Sequence, residues 1–269
     1  MTSGPTQHSI PPDPWCDLRA HTQARLALGR AGAALPTAEL LRFGMAHAQA
    51  RDAVHVPLDA DALAAQLQAL GGTTRQVHSA APDRATYLLR PDLGRRLCDA
   101  DAEALREVAA EGSPPIDLLL VVADGLSSLA VARQAPPLVE AIRHQAPVGW
   151  QLGPVVIARQ ARVALGDEVG ALLGARLVAV LVGERPGLSS PDSLGIYLTW
   201  HPQVGRSDAE RNCISNVRPQ GLGYDAAAFK LAWLLREALR RGLSGVALKD
   251  ESDLAVLEGS PQPPPLARG

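Results

Sequence analysis

The chain has 269 residues, 46% of them hydrophobic but only 3% aromatic, with a net charge of −2. That is enough apolar material for one large domain with a core of Leu, Val and Ala, and it argues against global disorder. The near-neutral charge, with no long basic run, makes nucleic acid a poor partner, and no apolar stretch approaches the ~20 residues of a membrane helix.

Residues 1–13 are rich in Pro, Ser and Thr. Disorder is expected there, and no basic segment is followed by an apolar one as in a signal peptide. Residues 14–75 read as a helical arm or cap. Ala20, Ala24, Ala27 and Leu28 share a helical face, which Gly29 and Gly32 then break. Thr37 reads as the N-cap of a helix over AELLRFGMAHAQARDAV, and residues 58–70 add another Ala/Leu helix.

Over residues 76–250 the pattern changes. ATYLLR, from Ala85, reads as a short strand, and Pro91 as the opening of a helix running through Val108. Asp117–Ala123 is a continuous apolar run, as in a strand covered on both faces. It ends in Asp124-Gly125-Leu126-Ser127, and a helix follows. Val155–Ala158, Leu177–Val182 and Ile196–Trp200 are further strands, with a helix at GDEVGALLG between the first two. Tyr224–Arg241 is the clearest helix, and Gly242 stops it. Leu231, Leu234, Leu235 and Ala238 form its apolar face, which Phe229 and Trp233 widen, so it is either a core helix or a subunit interface. Residues 251–269 have the composition of a disordered tail. Strands alternating with helices predict an α/β fold: a mostly parallel sheet flanked by helices, behind an N-terminal helical extension.

Three segments carry candidate chemistry. Gly183-Glu184-Arg185-Pro186-Gly187 directly follows a buried strand, where ligands of open α/β sheets sit. Glu184 offers an acceptor and Arg185 a donor; a tight loop with a surface Glu–Arg pair is the plainer alternative. Asp124-Gly125-Leu126-Ser127-Ser128 follows another strand but lacks the glycine-rich phosphate and GxSxG patterns, so Ser127 reads as a helix cap. Cys213, within Asn212-Cys213-Ile214-Ser215-Asn216, is a small buried thiol or a pocket lining. Cys16, Cys98 and Cys213 show no CxxC spacing, and the seven histidines form no metal motif and no D-x-H-x-x-G pattern. A reducing, cytoplasmic setting fits. The residues alone give ligand-grade loops without a complete catalytic set.

Several blocks nevertheless form a recognisable series: TQARLALGRAG, LLRFGMAHAQARDAVH, YLLRPDLGRRL, VVADGLSSLAV, LVGERPGLSSPDSLGIYLTW and DAERNCISNVRPQGLGYDAAAFKLAWLL. In this order the chain resembles the small (light) subunit family of ethanolamine ammonia-lyase, from about Thr22 to Leu248. The resemblance implies a Rossmann-like cobalamin-binding domain over residues 76–250 and a role in converting ethanolamine to acetaldehyde and ammonia by radical chemistry. It implies adenosylcobalamin held between this chain and a large (heavy) subunit that binds the substrate and carries most of the catalytic groups. Cofactor contacts carry over to Val163, Glu184 and Cys213, with no catalytic residue and no metal ligand from this chain. Relatives housed in bacterial microcompartments often have a longer amphipathic N-terminal extension; the short Pro-rich start here argues against encapsulation.

Overall fold

The computed structural model describes residues 13–253 apart from positions 23, 111 and 113. The segments 1–13 and 251–269, where disorder is expected, therefore lie outside the described residues except at Asp13 and at 251–253.

Six strands form one sheet: β1 (Thr74–His78), β2 (Ile116–Ala123), β3 (Val155–Arg159), β4 (Ala175–Gly183), β5 (Leu194–Trp200) and β6 (Arg211–Val217). Their order across the sheet is β1-β3-β2-β4-β5-β6. The first four in that row are parallel, while β5 runs antiparallel to both β4 and β6. The fold is thus α/β with a mixed, mostly parallel sheet, as the alternation of elements predicts. Among the described residues seven α-helices accompany it: α1 (Thr37–His55), α2 (Ala60–Ala69), α3 (Arg84–Leu89), α4 (Asp99–Ala110), α5 (Ser128–Gln145), α6 (Leu165–Leu172) and α7 (Tyr224–Arg241).

The apolar run of β2 is explained by two cores. Leu118, Leu120 and Val122 pack with residues of α2, α5 and α7 on one face. Leu119, Val121 and Ala123 pack with α4 and α6 on the other. A strand covered on both sides has no polar face to show. Each fully buried Leu or Val side chain contributes roughly 1.5–3 kcal/mol before chain entropy is counted. The residues Leu231, Leu234 and Leu235 of α7 are buried in the first of these cores, with Trp233 packed against it. Between the two readings of α7, the core helix is the one observed. It ends at Gly242 with φ +67, the left-handed stop its sequence predicts.

Four local expectations change. The segment 85–90 is helical, not a strand: the Asp83 carboxylate accepts the Thr86 N–H and starts α3. A six-residue apolar run cannot by itself distinguish strand from buried helix, and here the cap decides. The helix expected from Pro91 begins only at Asp99, after a 3-10 turn at Leu93–Arg95. The described residues of 21–36 carry no helix, and α1 starts at Thr37 with Pro36, which lacks a capping side chain, in the cap position. Two edge strands, β1 and β6, gave no apolar signal because they alternate or face solvent.

Candidate functional site

The chain leaves β2 toward β3 on one side and returns to β4 on the other. That reversal makes the carboxyl ends of β2 and β4 a topological switch point, where the connecting loops diverge and leave a crevice. A cavity of about 400 Å³ lies there, lined by Tyr87, Gly125, Leu126, Arg162, Val163, Val182, Gly183, Glu184, Arg185 and Tyr197.

Asp124 fixes the floor. Its buried carboxylate accepts the N–H groups of Gln160 and Ala161, both at 2.9 Å, which clamps the end of β2 to the end of β3. Burial pushes its pKa up, while those N–H groups and the Arg84 guanidinium pull the other way. Arg84 lies 3.5 Å from the same carboxylate and donates to the carbonyls of Gly125 at 2.9 Å and Val54 at 2.7 Å. It thereby joins the end of α1 to the loop after β2.

The two glycines flanking the crevice are needed for contact between loops. Gly125 has φ +54, and a Cβ there would stand 2.3 Å from the Gly183 carbonyl oxygen. A Cβ on Gly183 would stand 2.1 Å from the Ser127 carbonyl oxygen. The Leu126 N–H donates to the Gly183 carbonyl at 2.9 Å, closing the two strand ends against each other. Ser127 is the N-cap of α5: its hydroxyl accepts the Ala130 N–H at 3.1 Å and donates to the Pro191 carbonyl at 2.9 Å. Both its roles are structural, which disposes of Ser127 as a nucleophile.

On the far wall, Tyr87 is fully buried between two cations. The guanidinium carbons of Arg84 and Arg162 stand 4.9 and 4.6 Å from its ring centroid. Its hydroxyl donates to the Ala161 carbonyl at 3.1 Å, and burial pushes its pKa up to about 12.

Of the three residues expected at the site, Val163 and Glu184 line the cavity. The Glu184 carboxylate accepts the Ser193 hydroxyl and, at 3.3–3.4 Å, the Asn216 N–H, tying the end of β4 to β5 and β6. Cys213 stands one strand further out. It pairs across the sheet with Tyr197, which lines the cavity. As a whole residue Cys213 is exposed on this edge strand. Desolvation of its thiol nevertheless pushes the pKa up, with the Glu184 charge adding to it. A nucleophilic cysteine needs the opposite shift. No histidine lines the cavity.

Tyr87, Arg162 and Arg84 were not singled out by sequence reasoning. Tyr87 and Arg84 sit on or beside the segment taken for a strand. The Pro82-Asp83 start followed by Thr86 was the cap signal that could have corrected it. Arg162 carried no motif.

Among the described residues there is no group of three or more His, Cys, Asp or Glu side chains placed to hold a metal ion. No described helix is long and apolar enough to cross a membrane. These features describe an α/β chain with a polar switch-point cavity, a capping serine and an unactivated thiol. Comparison with known proteins narrows this. The family model for the ethanolamine ammonia-lyase light chain (EutC) matches residues 12–249. The ethanolamine ammonia-lyase small subunit of Pseudomonas fluorescens (strain SBW25) is 53% identical over 259 residues, covering 96% of this chain and 94% of the relative. That of Pseudomonas aeruginosa (strain UCBPP-PA14) is 57% identical over 248 residues, covering 92% and 91%. That of Ralstonia nicotianae is 56% identical over 257 residues, covering 94% of each. The chain belongs to the ethanolamine ammonia-lyase light-chain family.

Proposed function

We propose that this chain is the cofactor-holding small subunit of an adenosylcobalamin-dependent ethanolamine ammonia-lyase, working with a large subunit that binds ethanolamine. The observation that carries this reading is the switch-point cavity with Val163 and Glu184 on its wall and Cys213 beside it. The family membership supports an ammonia-lyase acting on ethanolamine; on this reading the products are acetaldehyde and ammonia.

The residues present suit such a cofactor. At about 400 Å³ the cavity is smaller than a corrinoid, so it offers one wall and leaves the rest to a partner. Leu126, Val163 and Val182 are apolar surface for a macrocycle edge. Glu184 has acceptor capacity beyond its two intrachain donors, fit for amide groups at the cofactor's periphery. The Nε of Arg162 is buried without a hydrogen-bond partner, as a half-built site requires. When bound, adenosylcobalamin supplies the radical. This chain's residues bind and orient it and keep water from one side.

The partner surface we propose is the front of the chain. Nine of the fifteen exposed large hydrophobic residues among the described residues fall between 15 and 56: Trp15, Leu18, Leu26, Leu35, Leu40, Leu41, Phe43, Met45 and Val56. Only Ala46 and Ala53 of α1 are buried. Apolar surface this concentrated marks an interaction site. On this reading residues 14–75 are the docking arm, residues 76–250 hold the cofactor, and the assembly works in the cytoplasm. The test is reconstitution with the large subunit, following ammonia release with and without adenosylcobalamin. Release that needs both chains and the cofactor supports the proposal; a chain that turns over ethanolamine alone, or a complex indifferent to the cofactor, refutes it.

A further inference from the structure

A guanidinium taken out of water is costly unless an anion or an acceptor set faces it. The cations around the cavity differ in this respect. Arg84 meets Asp124 and the carbonyls of Gly125 and Val54, and only its Nη2 is left buried without a partner. Arg162 is half-buried: its Nε is buried with no hydrogen-bond partner, and among the described residues its guanidinium has no ion pair. Its guanidinium stands instead over the face of Tyr87. Among the described residues Glu184 is the one carboxylate on the cavity wall, and it is engaged by Ser193 and Asn216.

The loop bearing Arg162 is held from three sides. Asp124 accepts the Gln160 and Ala161 N–H groups, Tyr87 donates to the Ala161 carbonyl, and the Arg162 N–H donates to the Gly94 carbonyl at 2.7 Å. Gln160 is kept at φ +53 within it, a conformation that persists only where the surroundings enforce it. A fixed cation without an anion, on the wall of a ligand-sized cavity, is half of a recognition pair.

We infer that Arg162 anchors an anionic group of the ligand, and that this group is a phosphodiester. The inference rests on the cofactor reading above. The side chains around a cobalamin's corrin ring are neutral amides; its anionic group is the phosphodiester that links the nucleotide tail to the ring. A planar guanidinium matches phosphate oxygens with two parallel donors, which an ammonium cannot do.

The test uses the two-subunit complex and measures equilibrium binding of adenosylcobalamin and of adenosylcobinamide, which lacks the phosphodiester and the nucleotide. Arg162→Gln weakens adenosylcobalamin by about 10- to 100-fold and leaves adenosylcobinamide within about twofold. Arg162→Lys falls between wild type and Arg162→Gln. In the wild-type complex, inorganic phosphate at matched ionic strength competes with adenosylcobalamin more strongly than chloride does. This last measurement needs no variant and stands even if Arg162→Gln does not assemble. Equal losses for both corrinoids, no loss for either, or no phosphate competition would overturn the assignment of Arg162 alone. A wild-type complex that binds neither corrinoid overturns the cofactor reading, and the phosphodiester assignment with it.

Discussion

The two ends of the sheet carry cavities of opposite character. At the amino ends of the strands lies the larger one, about 520 Å³, lined by residues such as Thr73, Thr74, Pro114, Pro115, Ile116, Gly153, Pro154 and Leu173. Its lining is mostly prolines and aliphatic side chains with Thr73, Thr74 and Gln151, and among the described residues Arg75 is the only charged one there. At the carboxyl ends the smaller cavity gathers Tyr87, Arg162, Glu184 and Tyr197 above the buried Asp124. Volume would choose the first end and chemistry the second. The difference follows from topology: at the carboxyl ends the connections after β2 and β4 part in opposite directions, and polar loop residues converge on the gap.

The contrast is broken most severely at Asp124. Asp124→Ala leaves two N–H groups without an acceptor and Arg84 without its counter-charge, so unfolding free energy falls by about 3–5 kcal/mol in denaturant titrations. A loss under 1 kcal/mol would mean that the clamp between β2 and β3 is unimportant. Next comes the apolar helix fastened to the same end. Leu41→Asp with Phe43→Asp weakens association with the large subunit by about 2–4 kcal/mol, read by sedimentation, while the isolated chain melts as before. Unaltered assembly would remove the arm from the interface. Glu184→Ala lowers adenosylcobalamin affinity of the complex by about 1–3 kcal/mol, because its acceptor is lost to ligand, Ser193 and Asn216 alike. Unchanged affinity would take Glu184 off the cofactor.

At the opposite end, Arg75→Ala shifts cofactor affinity by less than about 0.5 kcal/mol. A larger shift would show that the bigger cavity takes part. The smallest effect is acid titration of the turn before β6, also at the amino end. The Ser207 N–H, then Arg206, holds Glu210 down to about 2 from its ordinary 4.5. A depressed carboxylate stabilises the fold in full above 4.5 and loses that contribution as pH falls toward 2. Glu210→Gln therefore flattens the stability profile between those values and leaves cobalamin affinity unchanged.

The layered α/β plan was legible because β2, β4 and β5 are covered on both faces and read as unbroken apolar runs. β1 and β6 were not, since an edge strand with alternating or exposed side chains has the composition of a loop. Within the site, Glu184 was legible from its place after a buried strand. Cys213 was legible as a thiol that could line a pocket, and Val163 came from family resemblance alone. Arg162 and Tyr87 escaped because their significance lies in an encounter between segments 75 residues apart, set by the clamp at Asp124 and by nothing local in their neighbourhood.

Arg84 fastens the last turn of α1 to the carbonyl of Gly125, and the Ser128 hydroxyl secures the Val56 carbonyl beside it. The arm and the crevice therefore share one mechanical linkage. On the proposed reading, a companion chain seated on the arm would stiffen the floor on which a ligand rests, and a ligand seated first would hold the arm ready for its companion. Thermodynamic reciprocity makes the two gains equal. Loading and assembly should thus rise and fall together, with the Arg84 guanidinium and the Ser128 hydroxyl as the coupling.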